Sequence, residues 1–174
     1  ISKKYKYASI TVKNSHEVVS YLMIMMNYHC AKKMIENKNG IYRSAFIKND
    51  NLIKEDLPED VTKQITLWNA ASGQYQHYGD TLKHELMDLE SYIHITSPIR
   101  RLVDLLNLIQ FQKNLKLVNF GARSDSFYNF WYDKIDYINT TMRSIRKVQP
   151  DCNLLNVCIN NNKHLNEIYD GYMF

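Results

Sequence analysis

The stretch that opens with Ser97-Pro98 limits the possible folds of this chain more than any other. Ile99, Leu102, Val103, Leu105, Leu106, Leu108, Ile109 and Phe111 follow it at spacings that cover most of a helix circumference, to about Lys116. A helix that is apolar nearly all round has no face to give to water, so it must run through a core and be wrapped by other elements. With 174 residues, 45% hydrophobic and 23% charged, the chain can supply that wrapping as one unit and is too short for two generous domains. Five glycines and three prolines are few helix breakers, which favours an α+β, predominantly α-helical fold over a turn-rich sandwich. No run of about 18 apolar residues exists to span a membrane.

Other elements follow from the pattern along the chain. Residues 4–13 alternate aromatic and β-branched side chains and predict a strand. Asn14, with Glu17 three positions on, reads as a capping box, and Val18, Tyr21, Leu22, Ile24, Met25 and Met26 carry a helix to about Ile35. Asn37-Lys38-Asn39-Gly40 turns the chain into a short extended segment, 41–47. After a polar loop at 49–56, Pro58 with Glu59 and Asp60 opens a helix to about Ala71. Residues 72–92 give the weakest signal: Gly73 and Gly79 interrupt them, and Thr81 to Glu90 suits a short helix. Residues 92–96 read as extended. A helix from about Ser124 to Val148 is ended by Pro150, and a short last helix covers 163–168. No repeat or linker divides the chain, so 1–174 is expected to behave as a single unit.

Cys30, Cys152 and Cys158 are odd in number and contain no C-x-x-C pair, which fits neither a disulfide framework nor a zinc site and suits a reducing, cytoplasmic setting. The chain opens Ile1-Ser2-Lys3, without an initiator Met or a secretory pattern, as expected of a fragment or a processed product. The 18 Asn and 13 Tyr resemble a compositional habit of the coding genome, and no mechanism is read from them.

With Ser97 as N-cap and Pro98 at the first helical position, Arg100 and Arg101 fall in the first turn, where the helix dipole is already positive. Two cations there cost about 0.3–1 kcal/mol each at an exposed site, so something negative should sit nearby. Asp104, four residues after Arg100 and three after Arg101, is within side-chain reach. One reading pairs both arginines with Asp104 and a further acid such as Glu90. The other notes that one carboxylate cannot neutralise two guanidiniums, so the surplus charge and the helix N–H groups form an anion site suited to phosphate. Tyr92, His94, Thr96 and Ser97 approach the same helix mouth, and such groups beside arginine are what a nucleotide-binding surface uses. His94 taken singly reads as a structural histidine. The formal net charge of +4 permits an anionic partner without demanding one.

Residues 92–105, Tyr92-Ile-His94-Ile-Thr96-Ser97-Pro98-Ile99-Arg100-Arg101-Leu-Val-Asp104-Leu105, closely resemble the signature of the RNB catalytic domain of the ribonuclease II/R superfamily, Y-x-H-F-T-S-P-I-R-R-Y-x-D-L. Weaker likenesses flank it. His84 stands eight residues before Tyr92, as in the family's H-F-G-L segment, although Glu85-Leu86 replaces Phe-Gly. Residues 21–27 resemble E-F-M-L-L-A-N, Gly40 to Arg43 resembles the I-Y-R strand, and Ile138 to Lys147 resembles a late helix with an I-N-x-x-x-R pattern. The resemblance runs from about residue 15 to 148.

Such a resemblance implies the C-terminal, mainly helical part of a processive 3′→5′ exoribonuclease that hydrolyses single-stranded RNA with Mg²⁺. It implies that Arg100 and Arg101 approach the scissile phosphate and neutralise charge developing on its oxygens. Tyr92, His94, Thr96, Ser97 and Asp104 are expected to form the RNA-binding surface around them. Arg143, Arg146 and Lys147, at i, i+3 and i+4 on one face, would extend the path for the RNA backbone, and a plain solvated face is the equal alternative.

The family's Mg²⁺ is held by clustered aspartates that this chain lacks. Its densest acidic stretch, residues 55–60, starts a helix, where acids compensate the dipole, so no metal ligand is expected here. The family's glutamates before F-M-L-L-A-N align with Ser20 and Tyr21, the aromatic after R-R is Leu102, and the later H-R is Leu108-Ile109. Two readings stand: part of an RNB exoribonuclease whose metal-binding half lies outside this chain, or a catalytically inactive RNB-like module serving as an RNA-binding or structural component. Either way, association with a missing N-terminal half or a partner protein is expected.

Overall fold

The computed structural model describes residues 14–45, 58, 61–62, 73–79, 82–161 and 168. The expected strand at 4–13, the loop at 49–56, most of the helix opened by Pro58 and nearly all of the last short helix lie outside the described residues. The fold is α+β and mostly helical, with four helices and a two-stranded antiparallel sheet among the described residues.

Helix α1 (Ser15–Glu36) begins at the expected cap: Asn14 Oδ1 accepts the Glu17 N–H at 3.0 Å, and Asn14 Nδ2 reaches back to Glu17 Oε1 at 3.4 Å. Asn27, Cys30, Ala31 and Met34 form its buried stripe, at the i, i+3, i+4, i+7 spacing of one helix face. It stops at Lys38 and Gly40, whose φ angles of 53° and 104° no helix continues. A Cβ on Gly40 would also sit 3.0 Å from Met34 Cε, so glycine suits both the backbone and the space.

Strand β1 (Ile41–Ser44) then pairs with β2 (Gln74–His77), opposing Ile41 to His77, Tyr42 to Gln76, Arg43 to Tyr75 and Ser44 to Gln74. On the other edge of β1 the 92–96 segment makes a single bridge, Tyr42 to Ile93, and the Arg43 N–H donates to the Tyr92 carbonyl at 2.8 Å. This segment is therefore not the strand expected. The short helix expected within 81–90 is one 3-10 turn, Glu85–Met87, ended by the left-handed Asp88.

The central helix is present, but it starts later than the Ser-Pro signal predicts. α2 (Leu102–Asn114) is preceded by a turn in which the N–H groups of Arg100 and Arg101 both donate to the Ser97 carbonyl, at 3.3 and 3.1 Å. Arg101 occupies the N-cap position with extended φ/ψ and makes no side-chain cap. The Ser97 N–H is held instead by Asp104, at 2.7 Å, which draws the 97–101 turn across the helix end. Two apolar clusters flank α2. Val103, Leu106 and Ile109 pack with Ile41, Tyr75 and Tyr128 on one side, while Leu108 and Phe111 touch the Cys30, Met34, Tyr42 and Ile93 cluster on the other. That is the wrapping its composition requires.

The single helix expected at 124–148 is two: α3 (Ala122–Tyr132) and α4 (Ile135–Asn160), broken at Asp133 and Lys134. Both helices reach the core, α3 through Tyr128 and α4 through Ile135, Ile138 and Asn139. Pro150 lies inside α4 rather than ending it. The helix is largely exposed there, so the carbonyl left without a donor by the missing proline N–H is open to solvent.

Candidate nucleic-acid interface

Three buried asparagines shape the site by acting as surrogate strands. Asn139 on α4 takes both backbone groups of Tyr75, its Oδ1 accepting the N–H and its Nδ2 donating to the carbonyl, each at 2.8 Å. Asn107 on α2 does the same for Ile41, at 2.9 and 2.8 Å, and its Nδ2 also donates to the His94 carbonyl at 2.9 Å. Asn27 on α1 accepts the Ile95 N–H at 3.1 Å and donates to the Tyr92 hydroxyl at 2.8 Å. A buried backbone group left unpaired costs about 1–3 kcal/mol, so these amides fix β2 and the 92–95 segment to three different helices.

The segment so fixed carries an aromatic stack. Tyr92 is buried, only 4% exposed, with His84 and His94 edge-on to its ring at centroid distances of 5.3 and 5.6 Å. A ring enclosed in this way has no face to offer a base, so its place is support rather than contact. His94 meets Tyr75 edge-on and is hydrogen-bonded to its hydroxyl through Nδ1 at 2.8 Å. Burial, followed by the charges of Arg101 and Arg43, pushes the His94 imidazole down to about 3, so the ring is neutral at pH 7. Burial also lowers His84 and raises the hydroxyls of Tyr75 and Tyr92.

Below this stack the two signature arginines divide. Asp104 is fully buried; its Oδ2 accepts from Ser97 N–H and from Arg101 Nη2 at 2.9 Å, and Arg101 Nε lies 2.9 Å from Oδ1. Burial raises the Asp104 carboxyl, and the Ser97 N–H and Arg101 pull against that rise. Arg101 is thus locked, with 22% of its side chain exposed. Arg100 is exposed and has no carboxylate partner among the described residues. Among the described residues Arg100 is thus the surplus cation that counting charges against Asp104 implies.

Further positive charge converges here. Arg43 lies over the Tyr75 ring, 5.1 Å from its centroid. Arg43, Arg101 and Arg146 all act electrostatically on Tyr75, and Arg43, Arg100 and Arg101 on His94. Among the other expected residues, Thr96 is half-buried and its Oγ1 has no hydrogen-bond partner among the described residues, and Ser97 contributes its backbone N–H. Arg143 and Lys147 are exposed on α4, and Arg143 Nε donates weakly to the Asn139 carbonyl at 3.4 Å. Arg43 is the residue that spacing alone does not bring to this site, because its position depends on its register with β2.

Among the described residues, no three His, Cys, Asp or Glu side chains gather to hold a metal ion. Asp104, the acid at the site, is spent on Ser97 and Arg101. The described residues therefore do not fit the Mg²⁺ that the signature implies.

The sequence that forms this arginine turn over a buried aspartate matches a known family. The RNB domain model matches residues 3–117, and the chain belongs to that family. The match takes in the 92–105 signature and ends before α3 and α4, so Arg143, Arg146 and Lys147 lie outside it. The chain is similar, at 29% identity over 115 residues, to the mitochondrial exoribonuclease II of Saccharomyces cerevisiae, a match covering 57% of this chain. It spans 12% of that relative's length. No solved structure matches the chain. No helix among the described residues is long and apolar enough to cross a membrane.

Proposed function

We propose that this chain is part of a 3′→5′ exoribonuclease of the ribonuclease II/R type, acting on single-stranded RNA. The observation that carries the reading is the split between the signature arginines: Arg101 is held by buried Asp104, while Arg100 beside it is an exposed guanidinium with no carboxylate partner among the described residues. A paired cation and an exposed one, on a scaffold locked by Asn27, Asn107 and Asn139, are pre-positioned to bind a phosphodiester and to offset charge developing on its oxygens. On this reading Arg100 contacts the phosphate, Arg101 completes the charge, and Asp104, Ser97 and His94 hold the turn in place. Mg²⁺ is part of the proposal, with its ligands supplied by a portion of the domain outside these 174 residues or by a partner chain. The three cysteines, free and unpaired, support a reducing setting such as the cytoplasm.

Incubation of the intact gene product with end-labelled single-stranded RNA and Mg²⁺ tests this. A 5′-labelled substrate should shorten progressively while a 3′ label is released at once as a mononucleotide. Binding without shortening would support the alternative, an inactive RNB-like RNA-binding module. Neither binding nor shortening would remove the RNA reading altogether.

A further inference from the structure

The structure assigns Arg43 to the same anion site as a second, preorganised phosphate contact, an inference that rests on the RNA reading above and extends it to a residue outside the signature. Arg43 opposes Tyr75 directly across the β1–β2 ladder, so both side chains leave the same face of the sheet. The Tyr75 side chain has little freedom: Asn139 takes both its backbone groups and His94 takes its hydroxyl. Its ring is thus a fixed platform under the guanidinium. The Arg43 backbone is tied on the other edge by the Tyr92 carbonyl.

Gly73 closes the arrangement. A Cβ there would lie 2.6 Å from Arg43 Nη2 and 2.8 Å from Cζ, so the guanidinium occupies space that only glycine leaves open. Arg43 makes no ion pair among the described residues, although Arg101 and Arg146 stand close enough to repel it. Partial burial removes water from that charge, and among the described residues no carboxylate replaces the water. A half-buried arginine held on an aromatic face among like charges is a costly arrangement for structure alone, because hydrophobic packing at this position would serve without the repulsion. It becomes favourable when an anion arrives. The planar fork then meets two phosphate oxygens with its geometry already set.

Binding of a fluorescein-labelled oligouridylate to the protein, followed by anisotropy over a series of salt concentrations, tests this. Each phosphate neutralised on a single strand adds about 0.7 to the slope of log affinity against log salt. Arg43→Gln should lower that slope by about 0.7 and weaken binding about tenfold at low salt. Gly73→Ala keeps the charge but displaces the fork, and should weaken binding while retaining most of the slope. Lys33→Gln, which removes a cation already paired with Glu36 in the last turn of α1, should change neither.

If Arg43→Gln fails to fold, Arg43→Lys, which keeps the charge without the planar fork, together with Gly73→Ala carries the test. An unchanged affinity in both would overturn the assignment. A parallel Arg100→Gln variant separates the two claims. A reduced slope with Arg100→Gln and an unchanged one with Arg43→Gln rejects Arg43 alone, whereas no RNA binding by the parent protein rejects the RNA reading beneath it.

Discussion

His94 makes the stability of this protein depend on pH in a direction that the geometry fixes. In an unfolded chain its imidazole titrates near 6.5; in the fold, enclosed between Tyr75 and Tyr92 and facing Arg43 and Arg101, it is pushed down to about 3. The folded value lies below the unfolded one, so the native state resists taking a proton that the unfolded chain accepts readily. Stability from this group is therefore full above about pH 6.5 and is lost as the pH falls towards 3. Between pH 7 and pH 5 the unfolded chain goes from mostly neutral to almost fully protonated at this position while the fold stays neutral. Integrating that difference gives a loss of about 2 kcal/mol. His84, whose pKa burial also lowers, adds to the loss in the same direction. Urea unfolding at pH 7, 6 and 5, followed by circular dichroism, measures it. In His94→Gln, which keeps a polar group opposite the Tyr75 hydroxyl but cannot titrate, the fold should be less stable at pH 7 and most of the pH dependence should vanish. An equal loss between pH 7 and pH 5 in the parent and the variant would refute the picture of a neutral ring sealed in the stack.

Three further perturbations address the scaffold. Asn107→Ala leaves the backbone groups of Ile41 and the His94 carbonyl without their partner and should cost about 3 kcal/mol or more, read from the urea midpoint at constant m-value. Asp104→Asn keeps an acceptor for the Ser97 N–H but removes the counter-charge of Arg101. Because Arg101 is partly exposed the loss should be about 1–2 kcal/mol, below the range for a fully buried pair, and a variant as stable as the parent would show that Asp104 does not hold the turn. Gly40→Ala forces a side chain into a left-handed turn against Met34 and should cost about 1–2 kcal/mol in thermal unfolding.

The parts of this fold legible in the sequence are those specified locally. The Asn14 cap with Glu17, the turn at Gly40, the buried character of the 102–114 helix and the presence of Asp104 beside the arginine pair all follow from neighbours within one helical turn. What stayed hidden depends on partners distant in sequence. β2 is a Gln-Tyr-Gln-His segment with a weak strand pattern, and it forms because Ile41–Ser44 and Asn139 satisfy its backbone. α2 starts later than Ser97-Pro98 suggests because Asp104 reaches back to the Ser97 N–H and competes with the usual Ser-Pro start. Pro150 looks like a stop from its neighbours alone, yet an exposed helix tolerates it.

The asparagines are the larger lesson for the site. Their abundance looks compositional, yet Asn27, Asn107 and Asn139 each bridge elements 64 or more residues apart. No local pattern distinguishes them from the exposed ones. The same long-range pairing conceals Arg43, which enters the arginine cluster only once β2 lies opposite it.

In the proposed reading the arginine pair is divided, with Arg101 held by Asp104 and Arg100 available to phosphate. Measuring RNA affinity and unfolding free energy together for Arg100→Gln and Arg101→Gln tests it most directly. The account predicts that Arg100→Gln weakens oligouridylate binding about tenfold with stability changed by less than about 0.5 kcal/mol, while Arg101→Gln loses stability as well as affinity. An Arg100→Gln protein that binds RNA as tightly as the parent, or one that loses as much stability as Arg101→Gln, would contradict it.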